Sequence, residues 1–108
     1  MSYVRPWVVE PSSRVTKKWS VKTPSGRIIN FGAVGYEDYT MHGDATRAED
    51  YVRRHAARED WSDPETAGFW SRWLLWEKPT IKAALAALRR RLGATIIFKN
   101  RRSSSPYR

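Results

Sequence analysis

A chain of 108 residues, 41% hydrophobic and rich in aromatics (6 Trp, 5 Tyr, 3 Phe), is sized for one small domain with its own core. The absence of cysteine excludes disulfides, thiolate–zinc sites, iron–sulfur clusters and cysteine nucleophiles, and no apolar run is long enough to cross a membrane. The net charge of +9 is segregated: residues 1–27 carry +5, residues 28–77 carry −5 and residues 78–108 carry +9, so two basic ends flank an acidic middle.

Residues 1–15 read as an extended arm. Pro6 and Pro11 bias Arg5 and Glu10 toward extended backbone, and Tyr3, Val4, Trp7, Val8 and Val9 are apolar enough to dock on the domain or on a neighbour. Residues 16–32 read as a β-hairpin, with Trp19 and Val21 alternating with Lys18, Ser20 and Lys22, a Thr23-Pro24-Ser25-Gly26 turn, and a return strand from Arg27 to Gly32. Gly32 and Gly35 then bracket a loop that leaves the sheet. The spacing predicts a helix over 44–58, capped by Asp44, with Ala45, Ala48, Tyr51, Val52, His55 and Ala56 on one stripe. A second helix is expected over 64–77, with Asp63 as cap and Pro64 in the first turn; Phe69, Trp70, Trp73, Leu74 and Trp76 make it the most apolar segment. A third runs over 80–92, capped by Thr80, with Ile81, Ala84, Leu85, Leu88 and Leu92 inward and Gly93 as its stop. Residues 94–98 read as a short strand, and residues 99–108 as a basic, Ser-rich tail.

From Lys17 to Gly93 the chain resembles a family of short basic proteins encoded by nucleocytoplasmic large DNA viruses, of chlorella-virus-like and mimivirus-like groups. The segments FGAVGYEDYTMH, YVRRHAARED and TAGFWSRWLLWEKPT carry the resemblance. It implies a viral origin and a place in the virion, and it supplies no catalytic residues.

The residues themselves argue against an active site. His42 and His55 have no metal-ligand spacing, and His42 is better placed to order the loop entering the helix at Asp44. His55 lies four residues after Tyr51, where the two rings can touch. The acids come as adjacent pairs (Glu37-Asp38, Glu49-Asp50, Glu59-Asp60), which diverge on a helix rather than converge on a metal. No phosphate-cradling glycine loop is present. Two clusters suit binding instead. Trp7, Trp70, Arg72, Trp76, Arg101, Arg102 and Tyr107 are candidates for contact with a protein partner, since Trp and Arg dominate interface energetics. Arg89, Arg90, Arg91, Lys99, Arg101, Arg102 and Arg108 are candidates for phosphate contact. The charge pattern leaves open whether the basic ends meet anionic partners or neutralise the acidic middle.

The expectation is an α+β domain over 16–98, with an arm (1–15) and a tail (99–108). Its hairpin, three helices and last strand should share a core of Trp19, Val21, Phe31, Trp73, Leu85 and Ile97. The expected function is that of a non-enzymatic virion protein made in the host cytoplasm. It would be a minor capsid or cement component bound to other capsid proteins, without cofactor, metal, membrane span or small-molecule substrate. The alternative is a basic virion protein that binds or condenses DNA.

Overall fold

The computed structural model describes residues 5–100. The fold is α+β: a four-stranded sheet in the order β3-β2-β1-β4, with the helices inserted between β3 and β4. The strands are β1 (Trp7–Pro11), β2 (Lys17–Lys22), β3 (Ile28–Ala33) and β4 (Ile96–Phe98). The helices are α1 (Tyr39–His42), α2 (Ala45–Ala56), α3 (Ala67–Trp70), continued as a π-helix over Ser71–Leu75, and α4 (Ile81–Leu92).

β2 and β3 form the expected hairpin, with Trp19 opposite Phe31 and Val21 opposite Ile29. Its turn is closed by the Gly26 N–H donating to the Thr23 carbonyl at 2.9 Å. Gly26 sits at φ 98°, a conformation that strains any residue with a Cβ.

The arm is corrected. Residues 7–11 are not an appendage but an inner strand, antiparallel to β2 and parallel to β4. Trp7 and Val9 point into the core while Val8 and Glu10 alternate outward, the period of a strand with one buried face. Pro6 and Pro11 bound this strand, where a missing N–H costs the ladder least. The domain therefore begins before residue 16. Tyr3 and Val4 lie outside the described residues. At the other end the Lys99 N–H still donates to the Val9 carbonyl at 2.8 Å, so the ladder runs one residue into the expected tail.

α2 begins as expected: the Asp44 carboxylate accepts from the N–H groups of Thr46 and Arg47 at 3.0 and 3.2 Å. α4 is capped by the Thr80 hydroxyl, which accepts from the Ala83 N–H at 3.1 Å. The short α1 falls where only a loop is expected. Asp38 caps it by accepting from the Thr40 N–H at 2.9 Å, and Gly43 ends it.

The aromatic helix starts later than expected. Asp63 forms a turn, accepting from the Glu65 N–H at 2.9 Å, and Thr66 takes the cap by accepting from the Phe69 N–H at 3.2 Å. Beyond Trp70 the i→i+5 bonding of the π-helix adds a residue to the turn. The buried positions become Phe69, Trp70, Leu74 and Leu75. A regular α-helix would have carried Trp73 inward after Phe69.

One core results. The sheet contributes Trp7, Val9, Val21, Ile29, Phe31 and Ile96, and the helices contribute Phe69, Trp70, Leu74, Leu75, Ala84, Leu85 and Leu88. Of the six residues expected there, Val21, Phe31 and Leu85 are buried, while Trp19 and Trp73 are half-buried against the cluster. Ile97 is the exception. The register places Ile96 beside Trp7 on the covered face, so Ile97 turns to the other.

Candidate interaction surfaces

The aromatic residues expected to meet a partner are mostly spent inside the molecule. Trp70 is fully buried and its Nε1–H donates to the Pro64 carbonyl at 2.8 Å. Trp7 is buried against it, ring centroids 5.6 Å apart. Both are core residues, which corrects their assignment to a partner surface. The Arg72 guanidinium lies over Trp73 at 4.2 Å and Trp61 at 5.3 Å and pairs with Glu77 at 2.7 Å. Trp76 is half-buried and stacks on Tyr51 at 4.1 Å, nearly parallel, with His42 at 5.6 Å. Arg101, Arg102 and Tyr107 lie outside the described residues.

The basic cluster is partly structural too. Arg89 donates through Nε and Nη2 to the Ile96 carbonyl at 3.1 and 2.7 Å, tying α4 to β4. Arg91 stands over Trp73 at 3.5 Å. Arg90 and Lys99 are exposed, and Arg101, Arg102 and Arg108 lie outside the described residues.

A cleft of about 650 Å³ opens between the β2–β3 end of the sheet, α2 and the π-helix. Its walls hold a column of rings: His55 stacks on Tyr51 at 4.1 Å, as their spacing implied, and Tyr51 on Trp76. Burial, and then the Glu59 carboxylate, push the Tyr51 phenol above its ordinary value, against the weaker pull of Arg72 and Arg54. A phenol shifted upward is neutral at pH 7 and is no nucleophile there. The charges around the cleft are largely paired among themselves: Arg47 with Glu37 at 3.2 Å, Asp50 with Arg53 at 2.8 Å and Lys18 with Asp38 at 2.6 Å. His42 orders the entry to α2, its Nδ1 accepting from the Asp44 N–H at 2.9 Å. Among the described residues no three His, Asp or Glu side chains are grouped to hold a metal ion.

A group of exposed apolar residues adjoins this cleft, whose lining includes Tyr36. Val15, Val34, Tyr36 and Met41 are 88%, 52%, 74% and 58% exposed. They occupy the β1–β2 turn, the loop after β3 and α1, which meet at one end of the sheet where the Val34 N–H donates to the Thr16 carbonyl at 3.0 Å. This tip is braced from beneath. Lys18 Nζ donates to the Tyr36 carbonyl at 2.5 Å and to Asp38 at 2.6 Å, and it reaches Met41 Sδ at 3.2 Å. Asp38 is buried and caps α1 as well, so one ion pair holds both loop and helix to β2. In the sequence only Val34 of the four exposed residues lies between Gly32 and Gly35, and the others are scattered from Val15 to Met41 with no period to join them.

No curated protein and no solved structure matches the chain. Residues 7–55, somewhat under half of the chain, are similar to a family of unknown function (DUF5754); they build β1 to β3, the braced tip and nearly all of α2.

Proposed function

We propose that this protein is a non-enzymatic attachment module that docks on neighbouring proteins through its tip. With the resemblance to proteins of large DNA viruses, the reading becomes that of a minor capsid or cement component, made in the host cytoplasm and carried in the virion. The tip carries the proposal. Four large apolar side chains from three segments stand in solvent, on backbone fixed by the ion pair of Lys18 with the buried Asp38. A preorganised apolar patch of this kind gains burial on docking without the cost of ordering loops.

Particle incorporation tests it. Tyr36→Ala combined with Met41→Ala should leave the fold intact and remove the protein from purified particles, where the native chain should co-fractionate with shell fragments. Normal incorporation of the double variant, or fractionation with the genome core alone, would overturn the reading. The exposed Arg90 and Lys99 favour a second reading, non-specific DNA binding at the α4–β4 end. Steep salt-dependent retention on DNA, lost in Arg90→Glu, would support it.

A further inference from the structure

We infer that the open face of the sheet is a second docking surface, for a protein partner with aliphatic side chains at its centre and carboxylates at its rim. The register sets up this face directly. Ile28 lies opposite Lys22, Lys22 opposite Val8, and Val8 opposite Ile97, so one row crosses all four strands. Ile28 and Ile97 are 52% and 39% exposed. Every strand residue of the core lies on the other face. In the next row, Asn30, Ser20 and Glu10 are opposite one another, and Lys99 follows Ile97 with the same parity. Lys22 and Lys99 are exposed cations, whereas Glu10, the acid of these rows, is already engaged.

Three occupants compete, and the chemistry selects one. A single strand would need rings to stack its bases, and a duplex would need more cations than Lys22 and Lys99. The strand aromatics Trp7, Trp19, Phe31 and Phe98 all share the covered face by register, which leaves the open face without a strand aromatic. A second copy would bring Lys22 and a net charge of +9 against themselves. A protein with an apolar centre and acidic rim matches the row and its lysines, and can continue past the sheet edge toward Lys99. The tip and this face are separate, so the molecule can link two neighbours.

The test uses the full, isotope-labelled chain and amide chemical shifts. The probes are a soluble hexapeptide alternating glutamate with valine, a hexaglutamate, and a short oligothymidylate. The mixed peptide should shift the amides of Val8, Lys22, Ile28 and Ile97 saturably, and hexaglutamate should do so far more weakly. Ile28→Thr with Ile97→Thr keeps both sites β-branched and exposed, so the melting temperature should hold while affinity falls about tenfold. Equal shifts from hexaglutamate, shifts of these amides by oligothymidylate, or undiminished binding by the double variant would each overturn the proposal. So would a dimer in sedimentation equilibrium that the double variant dissociates.

Discussion

Trp70 and Trp73 are three residues apart and do different work. Trp70 is fully buried among Trp7, Phe31 and Phe69 and has its N–H satisfied. Trp70→Ala should cost about 3–5 kcal/mol in urea denaturation. Trp73 is half-buried, lies beside two guanidinium groups, and donates to the Trp61 carbonyl at 2.8 Å. Trp73→Phe keeps a ring for Arg72 and Arg91 and loses that bond, so it should cost about 1 kcal/mol. The count of tryptophans in this segment was legible in the sequence; which of them faces inward was not, because the π-helix shifts the phase. Tyr51 supplies a second expectation at this scale. Its phenol is held above the ordinary 10.0 by burial and then by Glu59. The unfolded chain therefore loses this proton first as pH rises. The stabilisation is complete below about pH 10 and declines as pH climbs through the folded value. A phenolate absorbance titration should show one tyrosine ionising later than the rest, and Tyr51→Phe should remove both that phase and its share of the alkaline destabilisation.

At the scale of elements, local chemistry governs how much can be read in advance. α2, α4 and the hairpin follow from side chains close in sequence: the Asp44 and Thr80 caps, the apolar stripe of α4, the alternation at Trp19 and Val21. β1 depends on partners far along the chain. Its five residues alternate as a strand should, but two prolines and an N-terminal position make the same residues look like an arm. Its place between β2 and β4 makes it indispensable. Without it β4 has no strand to pair with, and Val21 loses Val9 opposite it. A chain beginning at residue 16 should therefore lack native near-ultraviolet dichroism and amide dispersion. If it folds cooperatively, β1 is peripheral after all. A chain of residues 5–100 should keep the transition of the full protein, since the core runs from Trp7 to Ile96.

For the whole molecule, the charge segregation written in the sequence resolves unevenly in three dimensions. Lys18 and Arg27 from the first basic segment pair with Asp38 and Glu65 of the acidic middle, and Arg47, Arg53 and Arg72 pair with acids within it. Lys78, Lys82, Arg89, Arg90, Arg91 and Lys99 make no ion pair among the described residues. Neutralisation within the fold thus accounts for Lys18 and Arg27 of the first basic segment and for none of these six. The molecule presents an apolar tip at one end of its sheet and an unneutralised basic region on α4 and β4. The two respond differently to salt. Contact with three phosphates through the basic region gives a slope of about −2.7 in log affinity against log salt, or about a fortyfold loss between about 50 and 200 mM. Docking through Val15, Val34, Tyr36 and Met41 rests on apolar burial, which salt at these concentrations does not screen. Retention on stripped particle shells should therefore change by less than about twofold over that range, while retention on DNA collapses. A loss from shells as steep as the loss from DNA would mean that the basic region, not the tip, makes the attachment. Tyr36→Ala with Met41→Ala would then leave shell binding untouched, and Arg90→Glu would abolish it.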